Sequence, residues 1–327
     1  MKRVFVLLVA FLCFSGCKTF TEHSGVPSAG ILVFDPDNLE LLNALEEVPG
    51  ARALCAAEDD DFFVSSTTGR LYRFNAGSMT LDTSFVIGPG ASAGYGSMAY
   101  IPWKKSLYIT GATGTILEVN TTDGTVRADI SAGTSPAFIT AAWNYAYVYV
   151  TDPLINRVHG IRTTTNAVQK TWSFNDSPSI VVSSSGGSDT LLIATTSPSR
   201  AYVQPTEYSS NPIPVSLENP SDMAGSGFLG VIYATHPRYH QSTGAVSVID
   251  SLEPFSIRYQ LTVPGDPVLV CSHSNGLVFF VLSTLTPGGF TLISYHAPFG
   301  TLLGSIDLPG YPVDMIMTGS RLVVLTY

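Results

Sequence analysis

The chain has 327 residues, of which 45% are hydrophobic and only 13% are charged, so it can build a sizeable core. Its formal net charge is −9, and an acidic protein lacks the basic surface that phosphate backbones attract. We therefore expect no nucleic acid partner. Glycine and proline are frequent and no stretch has a helical pattern over several turns, which favours many short strands joined by turns.

The first residues have the pattern of an export signal. Lys2 and Arg3 precede an apolar stretch, residues 4–14, that is too short to span a bilayer comfortably. The sequence FSGC then ends at Cys17 and resembles the lipobox of bacterial lipoproteins, with Phe where Leu or Val is more usual. The resemblance implies that residues 1–16 are removed, that Cys17 is acylated and that residues 17–29 hold a short linker. The alternative is an ordinary signal peptide that is cleaved elsewhere.

The resemblance also carries an expectation about location. In some bacteria with two membranes, an Asp after the lipidated Cys favours retention in the inner membrane. This chain has Lys18 at that position, so we expect a lipid anchor in the cell envelope, in the outer rather than the inner membrane. Beyond Cys17, the remaining cysteines are Cys55 and Cys271, far apart in the chain, and we expect buried apolar side chains rather than a disulfide.

The rest of the chain is built from an internal repeat. Runs similar to YVYVTD begin at positions separated by 45, 40, 44, 40, 46 and 45 residues, namely Asp61, Ser106, Ala146, Thr190, Gly230, Gly276 and Arg321. A shorter run precedes each of them, and two further runs follow each of the first six. Four short strands per repeat of this length are typical of a β-propeller blade. We therefore predict an all-β protein, a single seven-bladed propeller of four-stranded blades over residues 30–327.

The repeat also predicts how the propeller closes. Two runs near the N-terminus, starting at Gly30 and Leu39, would supply the two outer strands of the last blade, and the C-terminus would supply its two inner strands. Such closure removes exposed sheet edges. The second of these runs, NLELLNALEEV, has an apolar spacing that also suits a helix. The repeat requires a strand there, and a helix would contradict the predicted closure.

The clearest repeat resembles the YVTN family of β-propeller repeats. Its second strand ends in Tyr149, Val150, Thr151 and Asp152, and a TTTN turn follows at residues 163–166. Relatives in this family include surface-layer proteins, exported binding proteins and a few enzymes, so the resemblance implies a fold more than a function. It also implies that ligands meet the face made by the loops between the second and third strands and between blades, near the central channel.

That face contains the candidate ligand contacts. They come from the YVTN blade and from the sequence THPRYHQ, and they are Asp152, Asn156, His236, Arg238, Tyr239 and His240. The two His of THPRYHQ lie in a loop interrupted by Pro and lack a third ligand nearby, so we expect no metal site. The residues would instead form an aromatic and cationic patch for an anionic or glycan-like ligand; a solvated loop without a ligand is the alternative.

Two charged sequences fall in hairpins on the opposite face. EDDD at residues 58–61 lacks the spaced pattern of a calcium loop and is expected to be a solvated acidic turn. IPWKK at residues 101–105 occupies the equivalent hairpin of the next blade. The two turns are therefore predicted to lie side by side with opposite charge.

No catalytic motif such as GxSxG occurs in the repeat. We therefore predict a non-catalytic binding or scaffolding module, without a cofactor and as a monomer, for an envelope protein or a glycan-like partner. The alternative is an enzyme, such as a lyase or a quinone-type dehydrogenase, with a site assembled from loops of several blades. It would pair His236 or His240 with Asp152 or Asp222. A structural surface-layer or adhesion component is a third possibility.

Overall fold

The structure is a computed structural model, and it describes residues 30–327 except 46–47, 89–96, 112–113, 184–189, 197–198, 207–210, 218–219, 227–228, 239–240, 252–254 and 286–287. The predicted signal, Cys17 and the linker lie outside the described residues. Where the chain is described, it is all-β apart from a short 3₁₀ turn at Pro102–Lys104, and it contains no helix long and apolar enough to cross a membrane.

The described strands are 28 in number and form seven four-stranded antiparallel sheets. The first half comprises β1 (Ile31–Phe34), β2 (Leu41–Leu45), β3 (Ala51–Ala56), β4 (Asp61–Ser66), β5 (Arg70–Asn75), β6 (Thr80–Val86), β7 (Met98–Ile101), β8 (Ser106–Thr110), β9 (Thr115–Asn120), β10 (Val126–Ser131), β11 (Ile139–Ala141), β12 (Tyr147–Asp152), β13 (Arg157–Arg162) and β14 (Ala167–Ser173). The second half comprises β15 (Pro178–Ser183), β16 (Thr190–Thr196), β17 (Ser199–Pro205), β18 (Ile213–Val215), β19 (Asp222–Ser226), β20 (Val231–His236), β21 (Thr243–Asp250), β22 (Ile257–Pro264), β23 (Asp266–Ser272), β24 (Val278–Leu285), β25 (Gly289–His296), β26 (Thr301–Leu308), β27 (Pro312–Met317) and β28 (Leu322–Thr326).

The sheets are the blades of a propeller. Blades 1 to 6 each use four consecutive strands, starting with β3 in blade 1 and with β23 in blade 6. The first strands of neighbouring blades contact one another around a complete ring, in which β27 contacts both β23 and β3. The first strand of each blade is therefore the innermost, and the prediction of a seven-bladed propeller is confirmed.

Blade 7 closes the ring with both ends of the chain. Its strand order is β2-β1-β28-β27, and β1 pairs antiparallel with β28, so that Ile31 lies opposite Leu325. The N-terminus supplies the two outer strands and the C-terminus the two inner ones, as predicted. The NLELLNALEEV run forms a strand at Leu41–Leu45 rather than a helix, because the edge of β1 requires a partner there.

The core lies between the blades. The described hydrophobic residues form seven clusters, one for each pair of neighbouring sheets. The second strands are almost entirely buried, as in β8, β20 and β28, because both of their faces pack on a neighbouring blade. The outermost strands β22 and β26 are largely exposed. Each blade therefore depends on its two neighbours for burial of its apolar faces.

Alternating strand directions give the ring two distinct ends. The connections from second to third strand and from blade to blade share one end, which we name the loop face. The connections from first to second and from third to fourth strand share the other end, which we name the hairpin face. Every functional candidate can be assigned to one of these faces from the strand that it begins or ends.

Candidate functional site

On the loop face, Asp152 ties blade 3 to the connection that precedes it. The side chain ends β12 and is completely buried. Its Oδ2 atom accepts hydrogen bonds from the backbone N–H groups of Thr134 and Ser135, which belong to the connection from blade 2. A carboxylate that accepts backbone N–H groups satisfies donors that would otherwise be buried without a partner. The side chain of Asp152 therefore stabilises the junction between two blades.

Asp152 also lies close to a buried histidine. Its Oδ1 atom and Nε2 of His159 are both buried and have no hydrogen-bond partner among the described residues. Nδ1 of His159 lies 3.1 Å from Oγ1 of Thr171. Burial lowers the pKa of His159, and the nearby Asp152 carboxylate acts in the opposite direction. The described residues thus leave one carboxylate oxygen and one imidazole nitrogen of this buried site without a hydrogen bond.

Gly133 makes this arrangement possible. Its φ angle is +114°, a conformation that side chains rarely adopt. A Cβ atom at this position would overlap the Asp152 carboxylate and would lie 3.2 Å from Nε2 of His159. Only glycine lets the connection from blade 2 pass so close to the buried pair.

The other candidate contacts occupy different environments. Asn156 adopts a positive φ of +54° in the turn after β12, and its carbonyl accepts a hydrogen bond of 2.9 Å from Phe174 N–H. His236 is buried, with Nε2 at 2.9 Å from Oγ of Ser247. Arg238 exposes its side chain, and its backbone N–H donates to Asp266. Tyr239 and His240 lie outside the described residues. Ligand binding by this set stays a prediction, with Arg238 the exposed side chain among the described four.

Carboxylates of the inner strands have a similar structural role. Asp222 in β19 accepts a 2.9 Å hydrogen bond from the N–H of Val270 in the next blade. Asp314 in β27 accepts one of 2.7 Å from the N–H of Leu54 in blade 1. These bonds join first strands across blade boundaries. The side chains that the enzyme alternative requires, Asp152, Asp222 and His236, thus have structural contacts in blades 3 and 5.

On the hairpin face, the charged hairpins of blades 1 and 2 lie side by side, as predicted. They line a small cleft of about 70 Å³. Its polar lining comprises Glu58, Asp61, Arg73, Tyr100, Lys105, Thr121 and Thr122. Arg73 is paired with Asp61, whereas the Lys105 ammonium has no ion pair among the described residues. Burial and the Glu58 carboxylate raise the pKa of Tyr100 to about 12. The cleft has room for a few waters or one side chain.

The hairpin face also exposes aromatic side chains, on blades 2 and 3. Trp103 lies in the hairpin of blade 2 and is 57% exposed, and Trp143 in the equivalent hairpin of blade 3 is 58% exposed. Tyr145, in the same hairpin as Trp143, is 39% exposed. Scattered apolar residues on a surface are normal, but here three large aromatic side chains are exposed on the equivalent hairpins of two adjacent blades. We name Trp103, Trp143 and Tyr145 the aromatic patch.

A buried ionic network fixes the hairpins that hold the patch. Glu118 of β9 is 1% exposed, and its Oε1 atom lies 2.9 Å from Nζ of Lys104. Ser106 donates to the same oxygen at 2.7 Å, and Asn166 of blade 3 donates to Oε2. Burial alone would raise the pKa of Glu118, but these hydrogen bonds outweigh burial and lower the pKa.

The network extends into blade 3. Nζ of Lys104 also donates to the Thr163 carbonyl at 2.8 Å and to Oδ1 of Asn166 at 3.0 Å. The hydroxyl of Thr163 in turn donates to the Tyr145 carbonyl at 2.8 Å. Hydrogen bonds therefore connect the hairpin of Trp103, through the turn at Thr163–Asn166, to the hairpin of Tyr145. The backbones of the two hairpins that carry the aromatic residues are consequently tied to each other.

The sequence indicated the charges of this face but not its aromatic patch. A Trp in a tight hairpin turn is nevertheless an indication of exposure, since such a turn offers little core in which the side chain can be buried. Among the described residues, no group of three or more His, Cys, Asp or Glu side chains is arranged to hold a metal ion. Cys55 and Cys271 are free and buried.

Comparison with known proteins supports the fold alone. No protein-family model and no curated protein sequence matches the chain. Among solved structures, it is similar to a chain of hydrazine synthase from Kuenenia stuttgartiensis, with a TM-score of 0.67 and 13% identity over 87% of this chain and 97% of that chain. It is also similar to U3-55K (TM-score 0.67, 11% identity, 93% and 100% coverage) and to the WD40 repeats of RRP9 (TM-score 0.68, 11% identity, 92% and 99% coverage). The chain thus has the β-propeller fold of these structures.

Proposed function

We propose that this protein is an envelope-anchored lipoprotein whose propeller binds a partner without catalysing a reaction. The observation that carries the proposal is the aromatic patch, which is exposed on hairpins that a buried network connects. Trp and Tyr are enriched among the residues that contribute most to binding at protein interfaces. A preformed patch also costs little conformational entropy when it binds.

The chemistry of the hairpin face favours a protein over a glycan-like partner. The cleft of about 70 Å³ is large enough for one anchoring side chain. Lys105 lies beside it, and Glu58 and Asp59 of the adjacent hairpin are exposed. A polypeptide can present complementary charges to both hairpins at once, whereas a neutral glycan cannot. The propeller folds of U3-55K and RRP9 are compatible with a binding role.

Anchoring rests on the sequence before Gly30. The positive residues, the apolar stretch and FSGC support removal of residues 1–16 and acylation of Cys17. Several acyl chains on one residue give firm membrane attachment. Mass spectrometry of the N-terminal peptide tests this part, since an unmodified Cys17 in the protein recovered from cells would contradict anchoring.

Partner binding is tested by crosslinking in intact cells. A photoreactive amino acid replaces Tyr145 in the full chain. In the control variant the same amino acid replaces Leu154, an exposed apolar residue on the loop face. We expect the same envelope protein to be captured repeatedly from position 145 and not from 154. Trp103→Ala and Trp143→Ala should each reduce that capture about tenfold, as loss of an anchoring aromatic does. Equal capture from both positions would refute the assignment of the hairpin face.

The enzyme alternative is favoured by one observation, the buried pair of Asp152 and His159 with two unpartnered atoms. Histidine near a carboxylate is a common acid–base arrangement. It would require the connection at Gly133 to open, because the pair is covered. Any enzymatic activity of the purified protein should then be lost in His159→Ala. If the variant keeps the activity, the buried pair no longer supports a lyase or a dehydrogenase.

A further inference from the structure

We propose that the loop face docks on anionic phospholipid headgroups through Arg157, Arg200 and Arg238. The proposal rests on the anchoring proposed above and adds the orientation of the propeller on the membrane. The three arginines lie on consecutive blades, each in or next to the connection between the second and third strands. Arg157 begins β13, Arg200 is the second residue of β17, and Arg238 lies in the loop before β21. All three side chains are exposed.

These guanidinium groups are exposed to solvent, and that of Arg200 also donates a hydrogen bond to the Tyr202 hydroxyl. None of the three forms an ion pair with a described carboxylate. Two further arginines, Arg52 and Arg70, lie at the same end of the ring and are half-buried. Guanidinium groups bind phosphate oxygens with parallel hydrogen bonds and are weakly hydrated, which suits a phospholipid surface.

The described carboxylates of the loop-face connections and inner strand ends are buried or half-buried. Asp152, Asp222 and Asp314 accept backbone N–H groups from the adjoining connection or blade. Asp266 accepts the backbone N–H of Arg238, and Asp176 accepts the hydroxyl of Tyr202. Two exposed carboxylates near this end, Asp129 and Asp307, lie on outermost strands. Apart from these two, the exposed charged side chains on the described part of the loop face are therefore arginines, whereas its other carboxylates are buried or half-buried.

The chain enters the ring on the same face. Gly30 precedes β1, which is a third strand and therefore starts at the loop face, and its carbonyl accepts a 2.9 Å hydrogen bond from Thr326 N–H. The residues between Cys17 and Gly30 number 12, so their contour length is at most about 40 Å. An acylated Cys17 would consequently keep the loop face close to the bilayer.

The protein has a net charge of −9, so its orientation on an anionic membrane depends on which face carries the exposed carboxylates. Exposed carboxylates collect on the hairpin face of blades 7, 1 and 2, at Asp37, Glu40, Glu58, Asp59 and Asp123. An anionic membrane repels this face and attracts the arginines. The docked orientation would leave the aromatic patch pointing away from the bilayer, where a partner can reach it.

The test places one fluorophore on each face of the lipidated protein in nanodiscs. Leu154→Cys reports the loop face and Phe299→Cys the hairpin face, since both side chains are exposed. Cys55 and Cys271 are buried and do not compete for the label. The nanodiscs contain phosphatidylcholine alone or an equal mixture with phosphatidylglycerol, and a nitroxide on the headgroups quenches a nearby fluorophore.

We expect quenching at position 154 to rise with phosphatidylglycerol and to fall again in high salt, and position 299 to stay unquenched. A basic residue near an anionic surface changes partitioning about fivefold, so Arg157→Gln with Arg238→Gln should weaken the docked state about 30-fold. The matched control is Lys105→Gln with Arg162→Gln, which removes the same charge from the hairpin face and should leave quenching unchanged.

Two outcomes would overturn the proposal. One is equal quenching at 154 in both lipid mixtures, which the tether alone would produce. The other is equal loss of quenching in the control and in the arginine variants. If mass spectrometry finds no lipid on Cys17, anchoring fails separately, and the label at 154 then reports whether the unanchored chain docks on the same nanodiscs.

Discussion

Removing the Glu118 carboxylate should strongly destabilise the propeller. The Glu118→Leu change deletes the acceptor shared by Lys104, Ser106 and Asn166, and it leaves an ammonium group in a mostly buried site without its counter-charge. Breaking a buried ion pair by removing one partner costs about 3 to 5 kcal/mol. For a folded region of about 300 residues, this loss corresponds to a decrease in Tm of about 5 to 8 °C.

Thermal unfolding followed by circular dichroism measures the effect. Asp123→Asn serves as the control, because Asp123 is exposed in the turn after β9 and bonds only within that turn, so its Tm should be unchanged. Combining Glu118→Leu with Lys104→Met should recover part of the lost Tm, since apolar side chains can replace a buried pair. A decrease below 1 °C for Glu118→Leu alone would refute the view that this network holds the hairpins.

Three further predictions concern the core and the loop face. Burial and the Asp314 carboxylate raise the pKa of Cys55 to about 12 and burial also raises that of Cys271, so neither thiol should react with a disulfide reagent at pH 8 until urea unfolds the protein. Because the pKa of His159 is lower in the folded protein than in the unfolded chain, its contribution to stability is fully present above about pH 6.5 and is lost as the pH falls below that value. His159→Asn should flatten the dependence of Tm on pH in that window, and an unchanged slope would contradict the assignment. Gly133→Ala should lower Tm by several degrees because its Cβ would overlap Asp152, whereas alanine at the exposed Gly288, where a Cβ meets nothing within 4 Å, tests the cost of a positive φ alone.

The sequence was sufficient to predict the fold, because a repeat constrains each strand seven times. The helical spacing of NLELLNALEEV was a local preference, and the requirement of β1 for a partner overrode it at Leu41–Leu45. The hairpins of Glu58 and Lys105 could be placed side by side for the same reason, since equivalent positions in adjacent repeats must be neighbours.

The direction of individual side chains could not be predicted in the same way. Asp152 and His236 occur at loop positions in the sequence, yet both are buried, because each ends a second strand that packs on both sides. Nor does the sequence indicate that Glu118 meets Asn166, which is 48 residues away in the next blade. Such contacts depend on the packing between blades, which strand patterns do not report.

The pairing of β1 with β28 also determines the order of events when the chain folds. β1 is the first described strand and its partner β28 is the last, so the ring cannot close before all seven blades have been synthesised. Contacts between residues so far apart in sequence slow folding. We therefore expect the pairing of β1 with β28, which completes blade 7, to be the final step of folding. Once formed, the pairing places Gly30 beside Thr326. Joining the two ends and opening another loop-face connection would preserve every strand pair, so a circularly permuted chain should reach the same ring by a different route.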